Sequence, residues 1–338
     1  METRKVQQVG GGTYTVSLPK EWAESEGVTP GTEVALSAHI DGTLVVRTEA
    51  RERAPDGRVT APVGDDPDAV ERLVRAGYAA GSTELRLDSP GGLSADQARA
   101  LQRVGRGLTG VAIGEDEEGV TVRTLVDPGE VSVRQSVRQL QYVALSMHRD
   151  AVAGLAGAGM ANPGDRDDQA DRLYALVERH LTRGLARLEE VDALGLDRTE
   201  LFELWATARE LERVADHAER VARTASDLGA GAGVAEDPVG AIDDLACAAR
   251  AVVEDAVGLV VDGRGLETAH EVLCARDRVR AEGETLDRRL FEAEGVDYRL
   301  TRVLDSVVRT AEHGGNIAEV GLQRALRRER VDAPAAST

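Results

Sequence analysis

The strongest constraint on this chain is a repeat within its second half. Leu204, Ala208, Leu211, Ala215, Ala218 and Ala222 step by 4, 3, 4, 3 and 4 residues, and Leu300, Leu304, Val307, Ala311, Gly314 and Ala318 stand 96 positions further on. Apolar residues at that spacing make one stripe along a helix. Arg213 matches Arg309 and His217 matches His313 at the same offset. A stripe repeated together with its flanking polar groups reads as two copies of one helical unit. The small residues that end each stripe let a neighbouring helix approach closely.

The flanking sequence agrees. Helices are predicted near 131–156, 166–192, 198–228, 238–261, 266–293 and 297–329, separated by GAGMANPGD, LGLD, GAGAGVAEDP, DGRG and EGVD. Over 130–330 this predicts an all-α part of tandem three-helix bundles. Residues 51–128 read as a small α/β connector in the order βαβαββ: RVTAPV, a helix capped by Asp65/Asp66 with Pro67 in its first turn, TELRLD, LSADQARALQRVGRGL, and a hairpin around GEDEEG. No G-x-G-x-x-G follows the first strand, which argues against a dinucleotide site. Residues 1–50 read as short strands. Tyr14, Val16 and Leu18 alternate with polar neighbours, as do Val34, Leu36, Ala38 and Ile40, and Leu44–Val46 follow a turn at Asp41-Gly42. Between them Pro19 starts a short helix that Gly27 closes. So few residues bury too little apolar surface to stand alone, which predicts a homodimer.

Charge narrows the function. Lys+Arg number 41 against 60 Asp+Glu, a net charge of −19, and only Lys5 and Lys20 are lysines. That pattern resembles halophilic proteins of a salty cytoplasm; an ordinary acidic regulator is the alternative. Such a field repels nucleic acid and phosphate alike, so anion binding requires a local patch. No apolar run approaches the ~18 residues of a membrane span. METRKVQQV lacks a secretory signal, and Cys247 and Cys274 make no disulfide framework, so a cytoplasmic protein that does not span a membrane is expected. Enzyme chemistry finds no support. There is no P-loop, G-x-S-x-G or zinc spacing, and Glu267-Thr-Ala-His270 is the one pair with the spacing that a di-iron bundle needs twice.

Glu212 and Asp216 lie four apart, so their carboxylates share a helix face and repel. A hard cation would turn that repulsion into attraction; Arg209 and Arg213 could instead neutralise both acids on a solvated face. The segment RELERVADHAERVA resembles the PhoU signature, and VVRTAEHGGNIAE repeats it with Asn316, Ile317 and Ala318 at its N-I-A end. The resemblance implies paired three-helix bundles that regulate phosphate uptake and bind a divalent or ferric metal ion through E-x-x-x-D motifs. It makes Glu212 and Asp216 metal ligands in the first unit. In the second, Val308 stands at the first acid's place, and Glu312, at the aspartate's, is the candidate metal ligand there. Asp171 and Asp277 would face these acids from the second helix of each unit. His217, His313, Arg213 and Arg309 would flank the ligands, the histidines by helix–helix hydrogen bonds.

R-K-V, GGGTYTVSLPKEW and GVTPGTEV resemble an AbrB/SpoVT/MazE-type swapped-hairpin domain, in which two chains interlock into one DNA-binding β-barrel. That resemblance makes Arg4, Lys5 and Lys20 phosphate contacts, with Arg4 also able to reach a base edge. Residues 1–50 hold four basic and seven acidic residues, so a barrel used for dimerisation alone is the alternative. The combined expectation is a homodimeric, DNA-binding transcriptional regulator of phosphate uptake. Its further partner would be a phosphate ABC transporter or a phosphate-sensing protein. The second reading is a non-DNA-binding accessory regulator of that transporter or its sensor.

Overall fold

The computed structural model describes residues 3–48, 57–116, 119–157, 163–228, 236–293 and 295–332. The chain divides into two compact units, Met1–Gly57 and Arg58–Thr338.

In the first unit, β1 (Gln7–Val9) pairs antiparallel with β2 (Thr13–Thr15) across the triple glycine, where Gly10 takes φ +62°. A short helix α1 (Lys20–Ser25) follows Pro19, and β3 (Val34–Ala38) pairs antiparallel with β4 (Leu44–Thr48). The alternation Tyr14, Val16, Leu18 predicts one longer strand, but β2 stops at Thr15, opposite Gln7 at the start of β1. The two hairpins remain separate two-stranded sheets, and both hydrophobic cores of the described residues lie beyond Gly57. Val9, Tyr14, Leu36, Ile40 and Leu44 are exposed.

The second unit begins with a four-stranded sheet of β5 (Arg58–Pro62), β6 (Glu84–Asp88), β7 (Val111–Asp116) and β8 (Gly119–Thr124) in the order β5-β6-β8-β7. β5 and β6 are parallel, joined by α2 (Pro67–Ala79); α3 (Ala95–Arg106) precedes the β7–β8 hairpin. Local chemistry sets both helix starts. Asp66 accepts from the Asp68 amide with Pro67 in the first turn, and Ser94 with Gln97 closes a reciprocal capping box. Leu85 stands opposite Val122, and Leu87 opposite Val120. These four pack against Val70, Val74 and Tyr78 of α2 and Leu101 and Val104 of α3.

The helical part comprises α4 (Val133–Ala153), α5 (Pro163–Ala186), the short α6 (Leu188–Ala193), α7 (Arg198–Leu228), α8 (Glu236–Val261), α9 (Leu266–Glu292) and α10 (Arg299–Asp332). Helices α4, α5 and α7 form one three-helix bundle and α8, α9 and α10 a second; α7 against α10 and α4 against α8 join them over one continuous core. Every residue of both repeated stripes is buried. At Gly314 the helices come especially close: a Cβ there would lie 2.9 Å from the Val252 side chain and 3.0 Å from the Val253 backbone nitrogen.

One predicted helix is broken. The 166–192 segment bends at Arg187, which takes extended angles, φ −136° and ψ 118°. The buried Glu190 of α6 turns back to His180 Nδ1 at 2.7 Å and Arg183 Nε at 2.8 Å. Gly184 leaves room for Leu201 and Val191 at the fold-back. The buried Glu190 carboxylate thereby finds two hydrogen-bond partners inside the bundle.

The α/β layer belongs to the same compact unit as the bundles. Arg179 of α5, buried, donates to the Tyr78 carbonyl at 2.9 Å and sits 4.9 Å from that ring's centre. Arg183 reaches the Gly81 carbonyl at 3.3 Å. Helix α5 is therefore shared between the α/β core and the first bundle. At the N-terminal end of α7, buried Glu203 accepts from Arg324 and Arg327 of α10, and Glu200 accepts from Arg134 and Arg324 at 2.9 and 2.8 Å. Among the described residues no helix is long and apolar enough to cross a membrane.

Candidate cation site and nucleic-acid interface

Helices α5 and α7 run side by side, and each carries acids four residues apart on the facing surface: Asp167 and Asp171 on α5, Glu212 and Asp216 on α7, with Glu219 one turn beyond. Burial raises the Glu212 carboxyl to about 7, and the charges of Asp216, Asp171 and Asp167 add to it. Burial likewise raises Asp167 to about 6, reinforced by Asp171, Glu219, Asp216 and Asp168. Asp171 is raised too, by burial and by Asp216, against the opposing pull of Arg75. Glu212 and Asp216, singled out in the sequence, thus join Asp171 and an unforeseen Asp167. The signal for Asp167 was present: D-x-x-x-D has the same four-residue step as E-x-x-x-D.

An all-carboxylate donor set suits a hard cation, whose charge would offset the repulsion that raises these groups. The first bundle thus has the donor chemistry for one. Its side chains are not preset, because no group of three or more His, Cys, Asp or Glu among the described residues is arranged to hold a metal ion.

The second bundle differs at each corresponding position. Val308, at the place of Glu212, fills the notch above Gly283 of α9. Glu312, at the place of Asp216, accepts from Arg309 at 2.8 Å. Gly315 stands at the place of Glu219, and the Arg276 side chain lies against it. Asp277 points elsewhere, largely exposed, and accepts from Arg276 at 2.8 Å. A methyl-lined notch and a guanidinium have replaced the acids, so this donor set does not suit a cation.

The repeated histidines meet. His217 and His313 place their ring centres 5.3 Å apart across the α7–α10 contact, so residues equivalent in the two repeats face each other where the bundles join. His313 Nδ1 donates to Glu210 at 2.8 Å, and Asn316 donates to the same oxygen at 2.8 Å. Burial alone would raise Glu210, but these two hydrogen bonds hold its carboxyl below the ordinary range. His217 has no such acid: Ser306 stands 96 residues from Glu210, and His217 Nδ1 is buried without a partner. Burial lowers its pKa to about 4, with His313, Arg220 and Arg309 adding to the shift. Arg213 donates to Glu210 at 3.0 Å. His148, on α4, is fully buried beside Arg250 at 3.3 Å, and burial lowers it to about 3. Nothing in the spacing of the sequence marked Glu210 or Arg250 as the partners of these histidines.

In the first unit, Arg4, Lys5 and Lys20 are all exposed. Arg4 and Lys5 precede β1; Lys20 opens α1 and lies 3.6 Å from Glu24 one turn on. That pair is solvated on both sides, so it holds Lys20 weakly against an incoming phosphate.

A known family model matches within each unit. The family model described as antidote-toxin recognition MazE, bacterial antitoxin, matches residues 7–54. The PhoU domain model matches residues 137–225, which span most of α4, all of α5 and α6, and most of α7. No curated protein matches the chain. Both matching families are regulatory and non-catalytic. The chain thus joins, in this order, a MazE/AbrB-like segment of DNA-binding type to a PhoU domain of the phosphate-regulation type.

Proposed function

We propose that this protein is a homodimeric DNA-binding transcriptional regulator of phosphate uptake whose helical part responds to a cation and to a phosphate transporter or phosphate-sensing partner. The observation that carries this reading is the occurrence of a MazE match and a PhoU match in one chain. Exposed Val9, Tyr14, Leu36 and Leu44 support dimerisation, since a second copy would cover apolar surface that one chain leaves wet. Arg4, Lys5 and Lys20 contact backbone phosphates, and Arg4 reads a base edge through its planar fork. In the bundle Glu212, Asp216, Asp171 and Asp167 hold the cation, which would supply positive charge to a face that otherwise repels itself. Regulation follows if that ion or the protein partner has different affinity for two arrangements of the dimer.

Promoter occupancy in phosphate-rich and phosphate-poor cells tests the biological claim; identical occupancy, or none, sinks it. Binding to a recovered promoter is then measured at cell-like salt with Arg4→Ala/Lys5→Ala. Loss of the complex is expected; an unchanged complex removes these residues from the interface.

The second reading is an accessory regulator of the transporter or its sensor that uses the β-unit to dimerise. The acid excess of residues 1–50 favours it. It requires a dimer that binds no duplex at any salt concentration.

A further inference from the structure

The acidic face of the first bundle has a neighbour that belongs to the α/β layer. Arg75, in the third turn of α2, points its Nη1 at Asp171 Oδ2 across 3.4 Å. The same guanidinium holds Glu71, one turn back on α2, through Nε at 3.1 Å, and Glu71 also lies 3.6 Å from Arg103 of α3. We propose that Arg75 is a built-in counter-cation of the α5–α7 acidic face, and that the α/β layer and a divalent cation compete for Asp171. The proposal rests on the reading of that face as a cation site.

Three observations support competition rather than a fixed structural bond. The pair is open to water, with the Arg75 and Asp171 side chains 39% and 35% exposed, so it is weak and displaceable. Arg75 keeps Glu71 when it leaves Asp171, so release strands no charge. The layer is also anchored independently, through Arg179 on Tyr78 and Arg183 on Gly81, so losing the Arg75 contact need not detach it. A divalent ion among Asp167, Asp171, Glu212 and Asp216 would repel the guanidinium and claim Asp171 for itself. Coupling of this kind is reciprocal: whatever pulls Arg75 toward Asp171 weakens the ion, and the ion frees the central turns of α2. In the second bundle a guanidinium also lies on the equivalent face: Arg276 of α9 stands against Gly315, the counterpart of Glu219.

The test is Mn2+ titration of the full-length chain by calorimetry, for the native protein, Arg75→Ala, Arg75→Gln and Arg103→Ala, with hydrogen exchange followed along α2. Both Arg75 variants should bind Mn2+ at least about fivefold tighter. Arg103→Ala touches Glu71 but not the acids and should leave the affinity unchanged. Mn2+ should speed exchange around residue 75 in the native chain and leave it unaltered in the Arg75 variants. Equal affinity of the native chain and both Arg75 variants overturns the competition while the cation reading stands. No Mn2+ binding by any of the four overturns the cation reading and the competition with it. Thermal melts of each variant identify one that fails to fold, and Arg75→Gln, which keeps a polar side chain at the site, then carries the comparison.

Discussion

At Glu212 two forces act in the same direction: burial raises the cost of charge, and Asp216 one turn on adds repulsion. Its carboxyl titrates near 7 in the folded chain against an ordinary 4.5. A raised folded value means the group contributes its full share of stability below the unfolded value and loses it as pH climbs through 7. Glu212→Gln should therefore raise the melting temperature of the cation-free protein at pH 8, and the gain should vanish by about pH 4.5. An equal gain at both pH values would contradict that account. The comparison must be between variants, because His217 and His148 pull the other way. Their lowered values give stability that is present above 6.5 and lost as pH falls toward 4 and 3. Glu210 is a second case. Glu210→Ala leaves His313 without its acceptor, while the exposed Asn316 turns to water, and should cost about 1–3 kcal/mol in urea unfolding.

Among the elements, α10 carries the most telling contrast. Gly314 and Gly315 are adjacent in sequence, yet their neighbours differ in kind. A Cβ at Gly314 meets the Val253 backbone at 3.0 Å; one at Gly315 meets the flexible side chain of Arg276. Alanine favours a helix over glycine by nearly 1 kcal/mol at either site. Gly314→Ala should nevertheless destabilise by about 1–3 kcal/mol, since α8 cannot yield as a side chain can. Gly315→Ala should be neutral or stabilising in the same chemical denaturation assay. Equal effects would mean that the α8–α10 approach is looser than described. Helix α5 shows a different constraint, because it packs on the α/β layer and on α7 at once. The bend at Arg187 lets its end fold back on itself without disturbing either face.

For the whole molecule, the two units have unequal means of support. The larger one has its own cores, whereas the hairpins of the smaller one expose Tyr14 at 70% and Leu36 at 63%. On the proposed dimeric reading, Tyr14→Asp/Leu36→Asp should leave a monomer in sedimentation where the native chain is a dimer, and should abolish duplex binding. It should leave thermal melting of the helical part unchanged, because the cores past Gly57 do not use these residues. A dimer that persists in this variant would place the self-association surface elsewhere.

The 96-residue repeat, the helix breaks at LGLD and DGRG (those predicted at GAGMANPGD and GAGAGVAEDP lie largely outside the described residues) and the βαβαββ order were readable in the chain itself, because periodicity and turn residues are local properties that burial then amplifies. The same holds for the two acids on α7, whose common face follows from helical geometry alone. What the chain did not announce depends on which helices become neighbours. The charge of Asp167 acts on Glu212, Glu210 reaches His313, and Arg75 reaches Asp171, 96 positions further on, only because packing brings separate elements together. The loss of acids from the second bundle was half visible in Val308. That Arg276 stands against Gly315 was settled by tertiary structure, since a side chain's partner across a helix contact is set by packing and electrostatics rather than by its own local sequence.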